Sequence, residues 1–499
     1  MIAVAVLASF VAFLDGSVVN LALPAIAAEF GGGLALQQWV LDGYLLALGA
    51  LILVAGAVSD QFGRLAVLRM GLAVFTVASL LCAVAPSGWV LIAARCLQGV
   101  GAAFLVPSSL AMINAWFTGP RQAGAIGTWT AWTGTAFVVG PPLGGLLVDA
   151  LSWRWVFGIN VVPLAVTLYL TTRLVVPVGS GGATGGKATV DFGTRRAARV
   201  DIVGAALCAV GLTAAVYGLI EQQRLGPSHP AVITGFVLGV TCLAAFPWWE
   251  RRAPNPIMPL QLFAARNFAV GNLATVFLYA AISLGTLIVA LFLQETVGMS
   301  ASHAGLATLP LPLLSFFLAR PFGRLAGRHG PRVYMAVGPL IAAGGFLLLT
   351  TARAPFDFWT QMLPGLIVFG VGLSVTVSPL TAAVLAAVDK AQSGIGSAVN
   401  NALSRVAGLI AVAFTGVIVG LDQSGSGTAS AAMTFVGFRD GVVAVAVLFA
   451  VAGVISAAGI SNRQCDMDLV SPGASALCLD RVSGGAVAVR AAGPRPRRW

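Results

Sequence analysis

The sequence predicts an all-α polytopic membrane protein whose fourteen transmembrane helices fall into groups of six, two and six. Three observations predict it. Of 499 residues, 58% are hydrophobic and only 9% charged, with a mean hydropathy of +0.93, whereas soluble proteins carry about 25% charged residues. Apolar runs of about 20 residues, the length needed to cross a bilayer, recur between turn-rich breaks along the chain. Basic residues are distributed unevenly over the loops that such spans define.

The first span, 3–24, contains VAVLASFVAFLDGSVVNLALP, apolar almost throughout, with Asp15 near its middle. A cleaved signal peptide is the other reading of this end. The lack of a basic n-region, the length of the run and the acid within it stand against that reading. The run begins so close to residue 1 that a short cytoplasmic head is expected before it. Span 36–58 carries Asp42, 67–86 follows a short charged loop, and 88–112 carries Arg95 and Gln98. Span 124–148 is rich in glycine and holds Pro141, and 154–175 opens with SWRWVFGIN. Spans 199–220 and 231–250 form the middle pair. Spans 268–292, 303–323, 333–351 and 358–386 follow, then 394–420 with Asn400, Asn401 and Arg405, and finally 438–461.

An even number of spans places both termini on one side. Twenty-two Lys and Arg then fall on that side, and four (Arg154, Arg224, Arg353 and Arg439) on the other, while Arg95 and Arg405 lie inside spans. The positive-inside rule makes the richer side cytoplasmic. It also accounts for the net charge of +11 without a nucleic-acid partner. The expected organisation is a six-helix bundle over 1–175, linkers and two extra helices over 176–266, a second bundle over 267–461 and a basic cytoplasmic tail over 462–499. GAVSDQFGRL at 56–65 has an echo in GRLAGRHGPR at 323–332, with Gly56 matching Gly323 and Gly63 matching Gly330. A shared turn in both halves is the mark of internal duplication in transporters.

Other chemistry finds little support. GGATGGK at 181–187 has phosphate-loop spacing, but Ala188 stands where Ser or Thr would hold magnesium and no strand precedes it, so a flexible linker is the better reading. The six cysteines have no metal or redox spacing. No nucleophile stands with a base, so no enzyme, metal or cofactor is expected.

In the loop after span 2, Gly56 and Gly63 permit a tight turn, and Asp60 and Arg64 form either a charged latch or an ordinary solvated turn. Gly56-x3-Asp60-x2-Gly63-Arg64 resembles the signature loop of the major facilitator superfamily. LDGSVVNLALP at 14–24, RCLQGVGAA at 95–103 and Gly127 with Gly140-Pro141-x2-Gly144-Gly145 resemble motifs of its fourteen-span drug:proton antiporter family. SWRWVFGIN is similar to that family's next segment. Ala136, Leu65 and Gly327 depart from the pattern. The resemblance covers residues 1–461 and implies the major facilitator fold, with a fifth-span seal that suppresses leak. From the residues alone, Gly140, Gly144, Gly145 and Pro141 make either such a seal or simply a close helix contact.

Depth groups the buried charges. Arg95 and Asp42 lie about 9 Å below the outer surface and Asp15 about 13 Å below it, at 1.5 Å per residue. Ionisable groups at such depth mark function by default. Asp15 is expected to carry the coupling proton, tuned by Arg95 and Asp42. A static Asp42–Arg95 ion pair and an Asp15 that is simply protonated remain the bland alternatives. Asn20, Gln98, Asn400, Asn401 and Arg405 are expected to line the substrate cavity, the last three serving otherwise as interhelical glue.

The expected function is proton-gradient-driven export of amphipathic drugs or related small molecules, by alternating access, from a bacterial cytoplasmic membrane, by a monomer needing no cofactor. The alternatives are a dedicated exporter of one metabolite or self-made antibiotic and, from another class, a non-transporting sensor.

Overall fold

In a bilayer every backbone polar group must be satisfied within the protein, and a chain this apolar has helices as its simplest solution. The computed structural model describes residues 1–117, 119–173, 201–254, 256–388, 393–419 and 433–462. Among them all the regular structure is helical. The linker centred on 181–187 and the tail beyond 462 lie outside the described residues.

The first half runs α1 (Ile2–Phe30), α2 (Gly33–Phe62), α3 (Arg64–Ala83), α4 (Gly88–Trp116), α5 (Gly119–Ala150), α6 (Trp155–Gly158) and α7 (Val161–Thr172). The middle pair is α8 (Ile202–Leu225) and α9 (Pro230–Glu250). The second half runs α10 (Arg266–Leu291), extended by a π turn, then α11 (Ala301–Ala307), α12 (Pro310–His329) and α13 (Arg332–Leu349). It closes with α14 (Leu363–Ala386), α15 (Ser393–Ala413), α16 (Thr415–Val419) and α17 (Phe435–Gly459).

Thirteen helical segments among the described residues are long and apolar enough to cross a membrane, against fourteen spans expected. The remaining expected span, 124–148, lies within α5, a continuous helix of 32 residues whose apolar content is diluted by Gly and Thr. Three expected spans are broken. Residues 154–175 divide at Ile159–Asn160 into α6 and α7, 303–323 divides before Pro310, and 394–420 divides at Phe414.

In the first half α1 packs on α5, α4 and α2, and α3 lies along α4. Glycines of α4 permit this: a Cβ on Gly99 would fall 2.3 Å from the Tyr44 carbonyl of α2, and one on Gly101 2.7 Å from the Phe75 nitrogen of α3. In the second half α13 packs on α14 and α17, and α10 on α17 and α15. Aromatic rings fill that core, with Phe346, Phe369 and Phe449 in mutual contact. The halves meet along α2–α15 and α5–α11. The α8–α9 pair joins the body through α8, against α2, α15 and α16, while Val237 and Val240 of α9 face outward, 61% and 65% exposed, as lipid-facing side chains do.

The duplicated turn takes the same form twice. Gly63 has φ +91° between α2 and α3, and Gly330 has φ +86° between α12 and α13. Only a residue without Cβ adopts this conformation at little cost, which is why the sequence echo survives at these glycines.

Candidate functional site

The site grows from two interruptions of regularity: an acid in the middle of α1, and the break between α6 and α7. The break turns Asn160 inward. Asp15 then accepts hydrogen bonds from Arg95 Nη1 at 2.6 Å, Gln98 Nε2 at 2.9 Å and Asn160 Nδ2 at 2.8 Å. Arg95 and Asp15 are 1% and 0% exposed. Arg95 Nη1 also donates to Gln98 Oε1 at 2.6 Å, Arg95 Nε to the Val40 carbonyl at 3.0 Å, and Gln98 Nε2 to Ser79 Oγ at 3.0 Å. The guanidinium stacks 4.4 Å from the Tyr44 ring centroid. Donors face both oxygens of Asp15, the arrangement that suits an ionised carboxylate.

Asp42 does not join this group. An Asp42–Arg95 pair was among the readings of their common depth, but Arg95 pairs with Asp15. Asp42 lies between Gln38 and Gly49 on one face of α2, the face against α15. Gln38 Nε2 donates to the Val412 carbonyl at 2.8 Å, and a Cβ on Gly49 would lie 3.8 Å from the Arg405 Cβ. Asp42 is fully buried, and among the described residues neither carboxylate oxygen has a hydrogen-bond partner.

The expected cavity residues separate. Gln98 is wholly buried within the acid's hydrogen-bond shell rather than lining open space. Asn20 is half-buried and outside that shell. Asn400 ties α15 to α10, donating to Asn272 Oδ1 at 3.0 Å and Thr275 Oγ1 at 2.9 Å, the interhelical-glue alternative. Asn401 and Arg405 line a recess between α1, α2, α4 and α15, with Phe13, Tyr44, Leu48, Ile52 and Val106.

The fifth-span glycines sit at contacts with both halves. A Cβ on Gly140 or Gly144 would strike Ser17 or Val18 of α1, at 1.9 and 2.7 Å, and one on Gly145 would strike the Ala301 carbonyl of α11 at 2.3 Å. The contact is reciprocal, since a Cβ on Gly305 of α11 would fall 2.4 Å from the Pro141 carbonyl. Below Gly145, Asp149 accepts from the Ala301 and Ser302 nitrogens at 3.1 and 2.8 Å. In the signature loop Gly63 makes the turn, Gly56 lies within α2, and the latch expected of Asp60 with Arg64 falls on an Asp60 side chain outside those described.

Sequence reasoning missed Asn160, Ser79 and the polar clasps at this same end. Gln37 Nε2 donates to Glu295 Oε1 across the halves at 2.8 Å. Arg154 forks onto Glu29 at 2.7 and 2.6 Å, and Trp153 Nε1 donates to Glu29 Oε2 at 2.7 Å. The one sequence trace of Asn160 is that it is a lone amide in an apolar run, two residues after Gly158; its inward position depends on the helix break.

Comparison with known proteins gives one consistent result. The Major Facilitator Superfamily profile matches residues 5–412. The chain is 35% identical over 419 residues to the puromycin resistance protein pur8 of Streptomyces alboniger, covering 82% of this chain and 80% of that one. It is 33% identical over 412 residues to the multidrug resistance protein Stp of Mycobacterium tuberculosis, covering 82% and 74%. In fold it resembles a bacterial homologue of the human lysosomal transporter Spinster, solved inward-facing and unoccupied, with a TM-score of 0.61 at 16% identity over 91% of this chain and 95% of that one.

Proposed function

We propose that this chain, which belongs to the Major Facilitator Superfamily, is a proton-coupled antiporter exporting amphipathic small molecules across a bacterial cytoplasmic membrane. It is a multi-pass membrane transporter and not an enzyme. Its two halves, 1–175 and 267–461, alternate access to a central site, with both termini cytoplasmic. The proton gradient drives it, and no cofactor takes part. It works as a monomer.

One observation carries the coupling: two buried carboxylates lie near each other in depth, and one arginine serves only one of them. Asp15 is matched by Arg95 and two amides. Asp42 is buried on the α2 face toward α15 and has no hydrogen-bond partner among the described residues. An unpaired ionised carboxylate is costly to bury, so Asp42 takes up a proton from the outer water as this interface closes, and in the inward-facing form gives it up toward the cytoplasm. Asp15 is loaded in its turn only when Arg95 or its amide partners draw away. The pur8 and Stp proteins are named for resistance to puromycin and to multiple drugs, which in a membrane transporter family supports export of such compounds. The former, named for a single antibiotic, also favours a second reading: a dedicated exporter of one compound.

Inverted membrane vesicles energised by a pH gradient test the proposal. Dye and antibiotic accumulation should rise with the gradient and vanish when an uncoupler collapses it. Accumulation indifferent to the uncoupler would sink the coupling. A broad panel decides breadth, since transport of one chemical scaffold alone would establish the dedicated reading.

A further inference from the structure

Of the two arginines that lie at depth in the spans, Arg95 is buried with its charge matched, whereas Arg405 is half-buried and has no carboxylate partner among the described residues. Arg95 is locked to Asp15 at 2.6 Å. Arg405, on α15, has no carboxylate within 4.0 Å and no hydrogen bond among the described residues; the Phe13 ring, 5.6 Å away, is what faces its guanidinium. It borders the recess together with Tyr44, whose hydroxyl donates to the Ala12 carbonyl at 3.3 Å, and Asn401, whose amide donates to the Ser397 carbonyl at 3.1 Å. Neither acid of the layer serves it. Asp15 is consumed by Arg95, and Asp42 lies further along α2, two turns from the Gly49 position against which Arg405 packs.

The recess therefore joins a free planar fork of donors to aromatic walls. A guanidinium matches a carboxylate or other oxyanion with two parallel hydrogen bonds, and flat hydrophobic rings stack on Phe and Tyr. A cationic ligand would meet the positive charge of Arg405 with no carboxylate beside it among the described residues. We propose that this recess is the substrate subsite and that Arg405 makes it select amphipathic aromatic anions, carboxylates or phenolates, over aromatic cations. The selection rests on the exporter reading above and narrows its substrate class.

Fluorescein and rhodamine 6G share a xanthene ring system and differ in charge, so they isolate this property. Their gradient-driven accumulation is measured in inverted vesicles holding the full chain, its Arg405→Gln variant or its Arg405→Glu variant, each normalised to membrane protein. Wild type should accumulate fluorescein at least tenfold faster than rhodamine 6G. Arg405→Gln should lose at least tenfold on fluorescein, and Arg405→Glu should reverse the preference. Competition on the wild type needs no variant: 1-naphthoate should block the preferred dye and 1-naphthylmethylammonium should not. Rhodamine 6G carried as well as fluorescein, Arg405→Gln carrying fluorescein unchanged, or equal block by both competitors overturns the selection while leaving the exporter standing. Neither dye responding to the gradient in wild type overturns the selection together with the exporter reading.

Discussion

The α1–α4 charge cluster and the α2–α15 seam lie at similar depth and are built on opposite principles. In the cluster the Asp15 carboxylate meets Arg95, Gln98 and Asn160, and Gln98 is further held by Ser79. In the seam, Asp42 has neither charge partner nor hydrogen bond among the described residues. A satisfied network stiffens one half as a unit. An unsatisfied acid between halves ties its protonation to whether they are together. Asp15 thus combines a structural role with a proton site, whereas Asp42 answers chiefly to whether the seam is closed, and α2 is their common wall.

The largest effect is expected from breaking the satisfied side. Arg95→Gln strands Asp15 as a buried charge and should cost about 3–5 kcal/mol, read as a marked fall in thermal stability in detergent. Asp15→Asn should cost a similar amount by stranding Arg95, and should abolish uphill efflux. The double variant should recover much of the stability and none of the uphill transport. If each single variant is as stable as wild type, the cluster is not the strut described here.

Next in size is the contact between α5 and α11. Gly145→Leu puts a side chain where a Cβ already meets the Ala301 carbonyl at 2.3 Å. Exchange should fall at least tenfold or become leaky to protons, as followed by a pH dye inside vesicles. Gly134→Ala on the same helix, where a Cβ meets nothing within 4 Å, should leave transport unchanged and add up to about 1 kcal/mol of helix stability. Equal behaviour of the two variants would reduce the glycine contact to mere packing.

Asp42→Asn is the sharper probe of the seam. Replacing a carboxyl that is neutral in the closed seam by a neutral amide should leave stability within about 1 kcal/mol while flattening the dependence of efflux on external pH. Wild-type efflux should rise as the outside is acidified, because protonation there favours closure of α2 on α15. A pH profile unchanged in Asp42→Asn would return the coupling to Asp15 alone. The smallest effect belongs to Gln38→Ala, which removes the bond to the Val412 carbonyl. A net loss of about 0.5–1.5 kcal/mol should shift the population toward the form open at this end, seen as faster labelling of a cysteine introduced at Gln38's neighbour Leu41.

The spans, the duplicated turn and the acids were legible because hydropathy, glycine and isolated charge each leave a one-dimensional trace. Which acid meets which base was not. The rise of 1.5 Å per residue gives the height of Asp15, Asp42 and Arg95 in the membrane but not their rotation about each helix axis. Asp42 and Val40 are two residues apart, yet the carbonyl of one receives Arg95 while the side chain of the other lies on the face toward α15. Asn160 was hidden for a related reason, since 154–175 reads as one apolar run and its inward turn depends on a break that hydropathy does not register. Gln37 and Glu295 are 258 positions apart, and nothing local to either announces the other.

The α8–α9 pair gives the seam a different kind of protection. Trp39 of α2 donates to Glu221 of α8 at 3.0 Å and its ring approaches that of Tyr217, while Leu212, Val216 and Ile220 of α8 share an apolar cluster with Leu409 and Ala413 of α15. On this side acyl chains press on α8 and α9, not on the line where α2 and α15 part. A change in bilayer thickness or headgroup charge on this flank thus meets α8 and α9 before it reaches the seam that holds Asp42.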